Sequence, residues 1–160
     1  MIKIEEIVEK YKGYEIDEEK LKEFLVPPKP KTVWDLKIND GYWEVGSHGN
    51  VCADIWENDV IDNGRRTIGN CFLTKEEAEF EVERRKVEAI MLKYGGRRFK
   101  NSERNYYLYY DHEDNLIIKT TVGICQNQGT IFFDDDELID QAIKEAGKDN
   151  IKKYIFGVEE

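Results

Sequence analysis

The chain has 160 residues, of which 40% are hydrophobic and 36% charged, a composition typical of a globular domain with a charged surface. Its formal net charge of −10 argues against general binding to DNA or RNA, because phosphate groups would repel it. No apolar run approaches the roughly 20 residues of a membrane-spanning helix, and acidic residues stand where a signal peptide has its apolar core. We therefore expect a cytoplasmic protein without membrane association.

The amino-terminal part predicts short helices followed by an extended linker. Apolar residues recur at helical spacing from Ile4 to Tyr11, and Asp17 is the expected N-cap of a second short helix. All three prolines of the chain fall between positions 27 and 30, and proline-rich segments are extended and semi-rigid. We expect a helical segment over residues 1–26 and a linker over residues 27–33.

Residues 34–96 predict three strands and one long helix. Residues 42–45 and 51–56 flank a glycine-rich turn, which is typical of a β-hairpin. After a polar loop, residues 65–73 are expected to form the third strand. Together they would make an antiparallel sheet.

The long helix is expected to follow this sheet directly. Thr74 and Glu77 have the spacing of a capping box, in which a hydroxyl binds a free backbone N–H and the glutamate reaches back to the cap. The helical pattern continues to Tyr94 and stops at Gly95, which gives a helix roughly 30 Å long.

Residues 97–160 predict a second unit with the same order of elements. Residues 105–110 and 116–122 flank an acidic turn and are strand-like. Residues 129–133 are expected to add a third strand, and Asp134 to cap a helix that a glycine ends.

The two units share a residue pattern. Gly69 and Phe72 match Gly129 and Phe132 at an offset of 60 residues, and Thr74 then falls on the expected cap of the second helix. Neither unit buries its sheet well alone, so the second should pack on the first. The sequence therefore predicts an α+β fold of two tandem β-β-β-α units, a pseudo-duplication with antiparallel sheets, after the helical segment. Chance recurrence of a strand meander and a helix is the alternative.

Few residues suggest covalent or metal chemistry. The histidines His48 and His112 lie in expected hairpin turns, and the cysteines Cys52, Cys71 and Cys125 are widely spaced. These five side chains could in principle supply zinc ligands or a cysteine–histidine pair, but no CxxC or HxxxH spacing is present. We expect buried, unpaired cysteines, no metal, no cofactor and no enzymatic activity.

Two charged surfaces are candidates for binding. Acidic loops with a neighbouring tryptophan predict a face for a protein partner, formed by Trp56, Glu57, Asp59, Asp62, Asp111, Glu113 and Asp114. The long helix and its connector predict a phosphate or nucleotide site, formed by Arg84, Arg85, Arg97, Arg98, Lys100 and Arg104. Alternating glutamates on the same helix favour a plainer interpretation of the bases, a solvated and charge-balanced surface.

Between residues 32 and 157 the chain carries a pattern of aromatic, glycine and helix-start residues. They are Trp34, Leu36, Lys37, Tyr42, Trp43, Trp56, Asn58, Asp59, Gly69, Asn70, Phe72, Thr74, Glu76, Glu77, Ala78, Glu79, Tyr106, Tyr107, Asp111, Gly129, Phe132, Ile151, Lys152, Lys153 and Tyr154. This pattern resembles small proteins of unassigned function encoded by phages and prophages of Firmicutes. The resemblance implies a phage accessory protein in the cytoplasm of an infected or lysogenic bacterium, and such proteins often counter host defences.

The leading functional hypothesis is a non-enzymatic inhibitor that binds a host defence protein such as a CRISPR effector nuclease. An acidic face can compete for the positive groove of a nuclease. The first alternative is a sponge that sequesters a nucleotide immune signal in the basic cluster. The second is a structural or regulatory phage protein. A homo-oligomer is compatible with each of them.

Overall fold

The computed structural model describes residues 4–14 and 32–158. The chain divides into two compact units, residues 1–31 and residues 32–160. In the first unit, helix α1 covers Ile4–Lys10. The expected second helix, capped by Asp17, and the proline-rich segment lie outside the described residues, apart from the last two linker positions.

The second unit has α+β architecture with two small antiparallel sheets. A 3-10 turn at Val33–Asp35 precedes strands β1 (Gly41–Val45) and β2 (Val51–Ile55). Helices α2 (Val60–Thr67) and α3 (Lys75–Tyr94) follow. The second hairpin comprises β3 (Asn105–Asp111) and β4 (Leu116–Val122). Helices α4 (Asp136–Ala146) and α5 (Lys148–Tyr154) complete the described chain.

Each sheet is one hairpin. Gly41 pairs with Ile55 and Val45 with Val51 in the first, and Asn105 pairs with Val122 in the second. Both hairpins agree with the sequence prediction to within one residue at each end of a strand.

The third strands are not formed as predicted. Residues 65–67 belong to helix α2, because the chain after β2 forms a helix capped by Asp59 instead of a loop and a strand. What remains of the expected strand is one reciprocal backbone bridge between Trp43 and Phe72. In the second half, Phe132 and Phe133 make similar single bridges with Gly96 and Tyr106. The tandem β-β-β-α duplication is therefore not confirmed.

Helix α3 begins and ends where the sequence predicts. The Thr74 hydroxyl accepts a 3.2 Å hydrogen bond from the Glu77 N–H, and the Glu77 carboxylate accepts from the Thr74 N–H. Helix α4 differs by one residue from the prediction: its N-cap is Asp135, which accepts from the Leu138 N–H at 2.9 Å. Asp134 instead pairs with Lys100.

Two apolar clusters form the core of the second unit. The larger one surrounds the carboxyl-terminal half of α3 and consists of Val87, Met91, Leu108, Ile131, Phe133, Ile139, Ala142, Ala146 and Ile151. The smaller one lies at the first hairpin and consists of Leu36, Tyr42, Trp56 and Cys71. Helix α3 contacts β1 and β2 as well as α4 and α5, so it joins the two halves.

Candidate protein-binding face

Helix α2 is attached to the first hairpin through polar side chains. The Tyr42 hydroxyl donates to Oδ1 of Asp62 at 2.8 Å, and the Glu57 N–H donates to Oδ2 of Asp62 at 2.7 Å. Asp62 is only 4% exposed, so both oxygens of a buried carboxylate are satisfied. The N-cap Asp59 accepts from the Asp62 N–H at 2.8 Å and fixes the start of the helix.

These contacts shift the pKa values of the two buried groups. Burial and the hydrogen bond to Asp62 raise the pKa of the Tyr42 phenol well above its ordinary value. Burial also disfavours the Asp62 carboxylate, but the hydrogen bonds from Tyr42 and from backbone N–H groups outweigh it and lower the pKa of Asp62. Tyr42 is therefore a neutral donor and Asp62 a charged acceptor at neutral pH.

Arg65 ties the helix to both strands of the hairpin. Its Nη1 lies 2.7 Å from the Tyr42 hydroxyl and 2.6 Å from Oδ2 of Asp54 on β2. Its Nε and Nη2 hold the two oxygens of Glu44 on β1, at 2.6 and 2.7 Å. Burial disfavours the charge, but the hydrogen bonds with Tyr42 and Asp54 raise the pKa of Arg65. Tyr42, Glu44 and Asp54 share one face of the hairpin, so α2 lies against that face.

Arg66 completes the polar attachment of α2. Its guanidinium carbon lies 4.4 Å from the ring centre of Trp56 and 4.8 Å from that of Trp34. One Nη also donates to Oδ1 of Asn63 at 2.7 Å, whereas the buried Nε has no hydrogen-bond partner among the described residues. Both indoles thus lie within cation–π distance of the arginine.

The opposite side of α2 is apolar and exposed. Val60 is 88% exposed, Ile61 61% and Ile68, the C-cap, 76%. At about 100° per residue, these three side chains and Gly64 fall within an arc of about 100°, away from Asp62 and Arg66. The usual arrangement is inverted, because α2 turns its charged side inward and its apolar side to the solvent. We call Val60, Ile61, Gly64 and Ile68 the α2 face.

Residues of the predicted acidic face fall into two places. Glu57 and Asp59 are exposed at the start of α2, and Trp56 and Asp62 adjoin them in sequence. Trp56 is only 1% exposed and contacts Tyr42 edge-on at 5.8 Å, so this tryptophan and Asp62 are core residues instead of surface contacts. Their burial corrects the expectation of an exposed tryptophan anchor.

The other acidic residues of the predicted face occupy the turn between β3 and β4. Oδ1 of Asp111 accepts from the backbone N–H groups of Glu113 and Asp114 at 2.9 and 3.2 Å. Asp111 therefore shapes the turn, while Glu113 and Asp114 are exposed. This turn belongs to the second sheet, whereas α2 packs on the first.

Most residues of the predicted basic cluster are paired with carboxylates. Arg84 and Arg85 both bind Glu81, Arg84 also binds Glu88, and Arg97 binds Glu88. Lys100 forms an ion pair with Asp134 at 2.6 Å. Arg98 and Arg104 are exposed. The structure therefore agrees with the interpretation of a charge-balanced surface for four of these residues, Arg84, Arg85, Arg97 and Lys100.

The cysteines and histidines are dispersed. Cys71 is buried, Cys52 half-buried and Cys125 exposed, and all three are free thiols. Burial raises the pKa of the Cys71 thiol to about 11. Among residues 4–14 and 32–158, no three His, Cys, Asp or Glu side chains are grouped so as to hold a metal ion.

The α2 face is the feature that the sequence prediction missed. The sequence predicts a polar loop over residues 57–64, because charged residues in this stretch favour solvent exposure. Two local signals favour the helix: Asp59 is a good N-cap, and Ile61, Gly64 and Ile68 recur at helical spacing.

Comparisons with known proteins give no match to this chain. No protein-family model, no curated protein and no solved structure matches the chain significantly. None of the helices in the described part of the chain combines the length and apolar character needed to cross a membrane.

Proposed function

We propose that this protein is a non-enzymatic binding protein whose α2 face docks on a partner protein. The inverted orientation of α2 carries the proposal. A helix that exposes Val60, Ile61 and Ile68 while burying Asp62 loses hydrophobic stabilisation unless another surface covers it. Exposed apolar patches with a polar rim are typical of protein interaction sites.

The charges around the α2 face indicate the chemistry of the partner. Glu57 and Asp59 are exposed at the start of the helix, next to Val60. A second copy of the chain would bring like charges together, whereas a surface with an apolar pocket and flanking Lys or Arg side chains would complement them. Such basic surfaces occur on proteins that bind nucleic acid. We therefore infer a basic partner in preference to a homodimer.

Site-specific photo-crosslinking in bacterial cells tests the docking face. A benzophenone amino acid is placed at Ile61, and at Leu116 on the second hairpin as an exposed apolar control. We expect one crosslinked partner from position 61 and none from position 116. With the purified partner, Ile61→Glu and Ile68→Glu should each weaken binding by at least about tenfold, whereas Leu116→Glu should not. Equal binding by all three variants would show that α2 is not part of the interface.

The more specific form of the function is inhibition of a host defence nuclease. The sequence pattern similar to phage accessory proteins and the acidic rim of the α2 face support it. An assay of plasmid interference in a bacterium with an active CRISPR effector tests this inhibition. We expect the chain to restore plasmid survival and Ile61→Glu to abolish the effect. Partner binding without any change in interference would leave a structural or regulatory role for the same face.

The nucleotide-sponge alternative rests on Arg98 and Arg104, two exposed arginines of the predicted cluster. Native mass spectrometry of protein purified from bacterial cells tests it, because a retained nucleotide adds its own mass. Loss of such an adduct in an Arg98→Gln/Arg104→Gln double variant would support the sponge. The same spectrum reports the oligomeric state.

A further inference from the structure

A half-open cavity of about 280 Å³ lies beside the carboxyl-terminal half of α3, in the second half of the chain. Met91, Leu108 and Ile131 of the larger core cluster line it, together with Ile155 and Phe156 after α5. Since a cavity of about 150 Å³ accommodates benzene, this one has room for a compact two-ring or medium-chain molecule.

Arg84 and Glu88 also line the cavity, and both belong to a chain of ion pairs on α3. In order, the chain joins Arg85, Glu81, Arg84, Glu88 and Arg97. With three bases and two acids, it has one positive charge in excess. The cavity therefore combines an apolar lining of Met91, Leu108 and Ile131 with one guanidinium and one carboxylate, those of Arg84 and Glu88.

Hydrogen bonds hold the guanidinium of Arg84 in place, but they do not use all of its N–H donors. Its Nε and Nη2 lie 2.6 and 2.8 Å from the two oxygens of Glu81, and its Nη1 lies 3.2 Å from Glu88. These bonds use three of the five N–H donors of a guanidinium, and no other described residue takes the remaining two. The hydrogen bonds to Glu81 also raise the pKa of Arg84, so the charge is permanent. A fixed guanidinium with spare donors is suited to a carboxylate.

We propose that this cavity binds a small carboxylate with a compact apolar body. The carboxylate takes the two spare donors of Arg84, and the apolar body packs against Met91, Leu108 and Ile131. Thr130 and Gln128 also line the cavity and can donate further hydrogen bonds. The site is separate from the α2 face, whose residues do not line the cavity, so either can fail without the other.

The probes are 2-naphthoate and its neutral analogue 2-naphthamide, titrated into the full chain labelled with ¹⁵N and methyl ¹³C. We expect saturable NMR shifts at the methyl groups of Met91, Ile131 and Ile155, with a dissociation constant of about 1 mM or tighter. Naphthamide should bind at least about fivefold more weakly, because it lacks the charge that Arg84 recognises.

Matched variants locate the carboxylate. Arg84→Met should weaken naphthoate binding by at least about tenfold. Arg85→Met should weaken it by less than about threefold, because Arg85 binds the same glutamate without lining the cavity. Should Arg84→Met fail to fold, Thr130→Phe, which fills the cavity, should abolish binding. Equal affinities for the two probes, shifts outside the cavity or no saturation up to about 5 mM would overturn the assignment.

Discussion

The hydroxyl of Tyr42 lies 2.8 Å from Oδ1 of Asp62, and both side chains are buried. This contact holds α2 with its charged side on the hairpin and its apolar side in solvent. Asp62→Ala should therefore lower the free energy of unfolding by about 2–4 kcal/mol, because it leaves the Glu57 N–H and the Tyr42 hydroxyl without their acceptor. Urea unfolding measures the loss. As a control, Asp114→Ala at an exposed position should change the free energy of unfolding by less than about 0.5 kcal/mol. An equally small effect of Asp62→Ala would contradict the role of Asp62 in holding α2 on the hairpin.

The same carboxylate makes stability depend on pH. Hydrogen bonds lower the pKa of Asp62 in the folded state despite its burial. Its contribution is therefore complete above the unfolded pKa of about 3.9 and is lost as the pH falls through the lower folded value. We expect the stability difference between the wild type and Asp62→Ala to shrink below about pH 4 in urea unfolding at a series of pH values. A difference that stays constant down to about pH 2 would show that the fold does not lower the pKa of Asp62.

The sequence predicts structure well where the determinants are local. Thr74 and Glu77 lie within one helical turn, so their spacing alone locates the start of α3. The two hairpins are equally local, since each joins neighbouring strands.

It predicts structure poorly where distant residues decide. Asp62 is buried because Tyr42, twenty positions away, supplies a donor, and the half-buried Arg66 lies within cation–π distance of Trp34 and Trp56. The rule that charged residues are exposed therefore predicts a loop where α2 forms. It also predicts an exposed binding residue at Trp56, which is buried. The basic cluster shows the converse case, in which i,i+3 and i,i+4 spacing already predicts the pairs of Arg84 and Arg85 with Glu81.

The cation–π contact predicts a measurable coupling between Trp34 and Arg66. Trp34 is 66% exposed, so its own burial contributes little, and its ring centre lies 4.8 Å from the guanidinium carbon. In a double-mutant cycle of Trp34→Ala and Arg66→Ala, we expect a coupling energy of about 0.5–1 kcal/mol in urea unfolding. The cycle of Trp34→Ala with Lys37→Ala, a neighbouring exposed cation, should give a value near zero. Equal couplings would mean that the indole does not interact with Arg66.

The start of α4 distinguishes two adjacent aspartates. Asp135 accepts from the Leu138 N–H and is the N-cap, whereas Asp134 makes an exposed ion pair with Lys100. Asp135→Ala should cost about 1 kcal/mol of stability, and Asp134→Ala less than about 0.5 kcal/mol. Thermal unfolding followed by circular dichroism compares the two variants. A larger loss of stability for Asp134→Ala would show that Asp134 is the N-cap, as the sequence pattern predicts.

Two adjacent glycines end α3 and differ in what surrounds them. A Cβ built at Gly95 would lie 2.7 Å from the Phe132 carbonyl oxygen and 3.0 Å from side-chain atoms of Ile131 and Phe133, whereas a Cβ at Gly96 meets nothing within 4 Å. The first clash is with backbone that also accepts the Gly96 N–H at 2.8 Å, so it cannot move without breaking that bridge. Gly95→Ala should therefore cost about 1–3 kcal/mol of unfolding free energy, and Gly96→Ala much less.

Urea unfolding of the two alanine variants measures this difference with matched chemistry. Phe133 and Ile131 belong to the larger core cluster, so the strain at Gly95 would reach the packing between α3 and α4. Amide hydrogen exchange should accordingly speed up at Phe132 and Phe133 in Gly95→Ala and stay unchanged in Gly96→Ala. Equal stability of both variants would show that the chain at residues 131–133 can move away from α3, and that the bridges at Gly96 and Tyr106 do not fix it there.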